Sequence, residues 1–240
     1  MYLNNQLTAL AIIPGLLIVI YVYIKDKVEK ETIGMIIKLI LYGGISCIIA
    51  GYVESFASNF LPVYPEGSLE YALINAFALA AFWEEILKFI ALRIPTWKCK
   101  HFNYRFDGIV YGVSAAIGFA VLENVLYVAQ YGMQTAIVRA FTAVPLHAFC
   151  GIAMGAFYSY SKKNSIIGKK GKSLIYTILA LVVPMFIHGV YNTFAFLRSS
   201  EAAYGLLIFV LIMYVIAIKI VRKLSMADKK AGFYTGVMDE

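Results

Sequence analysis

The chain has 240 residues, 61% of them hydrophobic and only 15% charged, with a mean hydropathy of +0.76. That balance excludes an ordinary soluble globular domain and a disordered chain, because so apolar a surface cannot be hydrated. The net charge of +7 does not point to a nucleic-acid partner, since the Lys and Arg residues are spread over several short segments.

A helix needs roughly 20 apolar residues to cross the hydrocarbon core of a bilayer. Runs of about that length predict spans at about 7–24, 33–54, 71–94, 108–130, 136–160, 173–197 and 202–221. The expected fold is therefore all-α: one polytopic bundle of about seven transmembrane helices over residues 1–240, with the lipid bilayer as its surroundings. The first span lacks a basic leader and a small-residue cleavage site, so it reads as a retained helix. Between spans lie the breakers and charges, among them Lys25 to Glu31, Pro62 to Glu70, Pro95 to Asp107 and Ser161 to Lys172. The segment Phe60 to Gly67 reads as a plain connector, and Asp107, just before Gly108, as a helix N-cap.

Basic residues fall on alternate connections: Lys25, Lys27 and Lys30; Lys98, Lys100 and Arg105; Lys162, Lys163, Lys169, Lys170 and Lys172; Arg222, Lys223, Lys229 and Lys230. The positive-inside rule places these in the cytoplasm, with the N-terminus outside and the C-terminus inside. Cys47 and Cys150 lie in spans and Cys99 in a cytoplasmic loop, which offers no disulfide framework. Gly108 and Gly112 in the fourth span, and Gly151 and Gly155 in the fifth, are spaced for close helix approach.

Ionisable groups inside spans carry the functional information, because each costs about 2.5–3.5 kcal/mol at mid-helix and needs compensation. The third span holds Glu84, Glu85 and Lys88; the fourth holds Glu123; the fifth holds Arg139 and His147; the sixth holds His188 and Asn192. Glu84 with Lys88, and His188 with Asn192, are i,i+4 pairs on one helix face. Lys88 is expected to pair with a neighbouring glutamate, and Arg139 to snorkel to the outer interface. The remaining carboxylates and imidazoles outnumber their evident partners at a common depth. Two chemistries suit such a set: hydrolysis by activated water, or ion or proton transport along a relay.

The order Glu84-Glu85-x-x-Lys88, Phe119-x-x-x-Glu123, His188-x-x-x-Asn192 resembles the motif set of the PrsW family of intramembrane proteases, EExxK, FxxxE and HxxxD. Phe106 to Gly112, Gly118 to Ala120 and Pro145 to Ala148 with Gly151 look like the same family, so the likeness covers a core of about residues 71–195. More distantly the pattern is similar to the CAAX prenyl endopeptidases, whose motifs are a glutamate pair, FxxxH and HxxxN. Asn192 follows that second type and departs from the PrsW aspartate, which suits an oxyanion donor better than a metal ligand.

The resemblance implies an intramembrane peptidase in a bacterial plasma membrane, acting on a single-pass membrane protein of the anti-sigma-factor kind in envelope-stress signalling. It implies Glu84 or Glu85 as the base, with His188 and Asn192 polarising the scissile carbonyl and His147 an orienter or ligand. Zinc held by Glu123, His147 and His188 is one mechanism it allows, and metal-free, glutamate-activated water is the other. A CAAX-type prenyl endopeptidase and an ion- or proton-coupled transporter are the competing readings.

Overall fold

The computed structural model describes residues 5–228, which form helices and no strand. In order these are α1 (Asn5–Lys25), α2 (Ile33–Ala57), α3 (Leu69–Leu73), a π-helical segment (Ile74–Ala81), α4 (Phe82–Thr96), α5 (Arg105–Tyr131), α6 (Met133–Phe141), α7 (Ala143–Ile166), α8 (Lys170–Phe196) and α9 (Ser200–Ala227). Among the described residues six helical stretches are long and apolar enough to cross a membrane: α1, α2, α5, α6 with α7, α8 and α9. The remaining predicted span, the third at about 71–94, is the composite of α3, the π-helical segment and α4, whose charges Glu84, Glu85, Lys88 and Arg93 lower its hydropathy. The protein is a multi-pass membrane bundle.

Helix α5 and the α6–α7 passage form its centre, each with 72% of its most apolar stretch buried, against 22% for α8 and α9. Sequence explains the placement. Gly108 and Gly112 of α5 lie against Gly151 and Gly155 of α7 so closely that a Cβ on any of them would overlap backbone or side-chain atoms of the facing helix. Gly43 of α2 and Gly118 of α5 form a second such approach. In lipid no hydrophobic force drives helices together, so backbone-to-backbone packing of this kind supplies much of the adhesion.

Two predicted spans are less regular than expected. The fifth breaks at Thr142, because Pro145 has no N–H for the Phe141 carbonyl and its ring crowds that position. The Tyr214 hydroxyl donates to the Phe141 carbonyl instead, at 3.3 Å, and the Tyr191 hydroxyl donates to Thr142 Oγ1 at 3.0 Å. The third widens into the π-helical segment immediately before the glutamate pair, closing with a Phe82 N–H to Phe77 carbonyl bond. Such wide turns shift the rotational phase of the helix beyond them and recur at functional sites.

Asp107 is not the N-cap itself. It lies in the first turn of α5 and folds back to accept from the N–H groups of Asn103 and Tyr104 at 2.9 and 2.7 Å. Asp228 accepts from Arg105 and Phe106 at 3.2 and 2.5 Å, so two carboxylates satisfy the exposed amides at this helix start. The Lys25 carbonyl accepts from Ser225 Oγ at 2.6 Å, and the Trp97 carbonyl from Lys162 Nζ at 2.6 Å. These bonds gather the basic helix ends on one side of the bundle; Lys229 and Lys230 lie outside the described residues.

The positive-inside rule assigns that basic side to the cytoplasm. In a background without Cys47, Cys99 and Cys150, a thiol reagent that cannot cross the membrane is expected to label Glu66→Cys from outside. Ser165→Cys should react only after the cytoplasmic side is opened. The opposite pattern reverses the topology.

Candidate active site

The site is organised around a buried ammonium. Lys88 on α4 is 0% exposed, and its Nζ lies 2.9 Å from Glu84 Oε2, 2.8 Å from Glu85 Oε1 and 2.9 Å from His147 Nδ1. The ring of Phe119 lies 4.0 Å from the same nitrogen, adding a cation–π contact. An ammonium has three hydrogens and no acceptor, so all three are used and His147 Nδ1 must accept. The proton of His147 is therefore on Nε2, which donates to Glu123 Oε2 at 2.9 Å.

His188 on α8 meets the group from the other side. Its Nδ1 lies 2.9 Å from Glu85 Oε1 and 3.9 Å from Glu84 Oε2, and its ring stands edge-on to that of His147 with centroids 5.2 Å apart. Donation from Nδ1–H to the Glu85 carboxylate leaves the His188 lone pair on Nε2. Glu85 Oε2 is buried with no hydrogen-bond partner among the described residues.

Glu123 stands one bond further out, on the far nitrogen of His147. Arg139 does not snorkel to the outer interface as its sequence position predicts; its side chain is only 15% exposed. It donates from Nη2 to Glu123 Oε2 at 2.8 Å and from Nε to Asn124 Oδ1 at 2.9 Å. Asn124 Nδ2 in turn donates to the Ala11 carbonyl at 3.0 Å. The Phe-x-x-x-Glu spacing on α5 thus places the Phe119 ring beneath Lys88 and the Glu123 carboxylate behind His147 on one helix face.

A cavity of about 530 Å³ leads to this network, with Glu84, Glu123, Arg139, Asn192, Asn75 and Glu54 on its wall. It reaches the two glutamates differently: Glu84 lines it, whereas Glu85 is 0% exposed and sealed beneath. Asn192 lies one helical turn from His188 and faces the same space. Sequence reasoning missed Glu54, which falls on the predicted end of the second span, where a carboxylate looks like an interfacial residue. Its only signal was an acid with no basic residue near it on α2.

The donor atoms of Glu84, Glu85, His147 and His188 all lie within 4.8 Å of one another. Two carboxylates and two imidazoles are donors that zinc accepts. The Lys88 ammonium bonds three of the four, so the lone pairs already converge on a single positive charge. The donor set therefore suits a divalent ion, and an ion there would compete with that ammonium for the same lone pairs.

A family model described as PrsW family intramembrane metalloprotease matches residues 31–218. The chain belongs to the PrsW family of intramembrane proteases. Among curated relatives, Protease PrsW of Halalkalibacterium halodurans is 31% identical over 225 residues, covering 94% of this chain and 99% of that one. The Bacillus subtilis Protease PrsW is 33% identical over 203 residues, 85% and 88% of the two chains. That of Clostridioides difficile is 31% identical over 232 residues, 95% of each. No solved structure matches the chain. In this PrsW-family protease the three recognised motifs meet in space: Lys88 and Glu85 of the first touch His147 and His188, and the Glu123 of the second reaches them through His147.

Proposed function

We propose that the chain hydrolyses a peptide bond of a single-pass membrane protein in the cavity above Glu84. The supporting observation is the convergence of Glu84, Glu85, His147 and His188 at the base of a polar-walled cavity. Glu84 is the general base, because it is the member of the glutamate pair that reaches the cavity and its water. Glu85 holds Lys88 and His188 in place. Asn192 offers its amide N–H to the oxygen of the attacked carbonyl as negative charge develops there.

Zinc held within the group of Glu84, Glu85, His147 and His188 would lower the pKa of a bound water and polarise the carbonyl. Glu123 serves this arrangement by fixing His147, since it accepts from Nε2, the nitrogen opposite the one that meets Lys88. Below the site Phe89, Leu92, Ala115, Met154 and Tyr158 pack into an apolar cluster between it and the basic end. A transporter needs a polar path there, so this packing favours hydrolysis.

The test is reconstitution in liposomes with a single-pass reporter and cut-site mapping by mass spectrometry. Purified protein is expected to carry near-stoichiometric zinc, and chelation should abolish cleavage until metal is restored. Full activity in metal-free protein removes the zinc part and leaves the glutamate-activated water standing.

A further inference from the structure

The charged groups on the cavity wall are compensated with one exception among the described residues. Glu84 is paired with Lys88, Glu123 with Arg139, and Arg198 at the mouth with Glu66 of the outer connector. Glu54 lines the same cavity from α2, and its Oε1 is enclosed with no hydrogen-bond partner among the described residues. An enclosed carboxylate oxygen without a donor lowers stability, more so near lipid, so its presence here calls for a ligand-side explanation.

The reaction supplies one. A peptide bond in a helix is shielded, and a peptidase must receive its substrate unwound. Unwinding frees backbone N–H groups, and those pressed against the cavity wall need acceptors on the protein. Within the cavity the carboxylates of Glu84 and Glu123 each hold a cation, Lys88 and Arg139. Glu54 is the carboxylate on that wall with no cation and with an enclosed, unbonded oxygen among the described residues. Its position beside Ala50 and Gly51, small residues that also line the cavity, leaves room for a chain to lie against α2.

We propose that Glu54 is a substrate-binding residue whose carboxylate accepts an N–H donor from the unwound peptide segment next to the scissile bond. The proposal rests on the reading of the Glu84 cavity as the peptidase site. The donor is a backbone amide or the side chain of a Lys or Arg in that segment.

The experiment measures KM and kcat for the single-pass reporter in phosphatidylethanolamine–phosphatidylglycerol liposomes, with thermal melting of each variant. Glu54→Leu is expected to raise KM about tenfold or more, the loss of a hydrogen bond to a charged group, with most of the fall in kcat/KM carried by KM. The same substitution is expected to raise the melting temperature, because it removes an unpaired carboxylate; a purely structural residue would lower it. Glu54→Gln keeps an acceptor oxygen. A near-normal KM for Glu54→Gln assigns the donor to a backbone amide. A KM as high as that of Glu54→Leu assigns it to a basic side chain, and replacing the Lys and Arg residues flanking the reporter's cut site should then erase the difference. If Glu54→Leu has the wild-type KM while Glu84→Gln is inactive, the Glu54 proposal falls and the site stands. If Glu84→Gln still cleaves, the site reading falls and takes this proposal with it.

Discussion

Glu84→Gln is expected to give a folded, membrane-inserted protein whose kcat on a single-pass substrate is lower by about 10²–10⁴-fold, the usual cost of losing general-base action. Gln keeps the shape of the side chain and an oxygen for the Lys88 ammonium, which lies 2.9 Å from Glu84 Oε2, but it cannot take a proton from water. In the proposed role of Glu84 as the base on the cavity wall, the substitution would act on the water directly and should leave KM little changed. Glu85→Gln and His188→Ala are expected to abolish cleavage as well, by a different route. Glu85 is sealed from the cavity and bonded to both Lys88 and His188, so its loss misplaces two partners and should also lower the melting temperature. Single-turnover cleavage alongside thermal melting separates the two cases. Wild-type cleavage by both glutamine variants would end the catalytic assignment.

Lys88→Met is expected to produce the largest loss of stability of any single substitution in the site, about 3–5 kcal/mol, the cost of removing one partner of a buried ion pair. Met fills much the same volume, so the effect comes from charge rather than from a cavity. It leaves Glu84 and Glu85 facing each other without a countercharge, and His147 Nδ1 without a donor. Pairing it with Glu85→Leu should recover part of the loss, because a buried ion pair replaced by apolar groups is often neutral or stabilising. Added zinc should recover part of it too if ion and ammonium compete for the same lone pairs. Equilibrium unfolding in mixed micelles reads all three, and a wild-type unfolding curve for Lys88→Met would show that the carboxylates are compensated elsewhere.

Much of this was visible in the chain alone, for reasons that are local. Hydropathy runs reveal membrane helices because a spanning segment must satisfy its own backbone and present apolar side chains whatever its neighbours do. Glu84, Glu85, Glu123, His147 and His188 stood out because an ionisable group in a span has no local justification, and their motif order carried the family likeness. The Gly108–Gly112 and Gly151–Gly155 pairs announced a close helix contact for the same reason: only small residues allow it.

Which groups touch is a different matter, since contact between helices depends on their rotation and depth, and neither is encoded within a single span. Pro145 and the π-helical segment change both beyond what a regular 3.6-residue period indicates. Arg139, placed at the lipid interface by its position in sequence, turns inward because Glu123 and Asn124 of α5 lie within hydrogen-bond reach. The metal-type donor group forms around Glu84 and Glu85, with Glu123 behind His147, because one imidazole cannot face both sides at once. The two glutamates, adjacent and alike in sequence, become unlike only when folding opens a cavity to one and seals the other. Composition and spacing determined by themselves that the chain is a helical membrane bundle with buried carboxylates and imidazoles at one depth. Only the tertiary structure decided the centre on which they converge and which of them meets water, because a buried charge takes its role from the partners that replace its solvent.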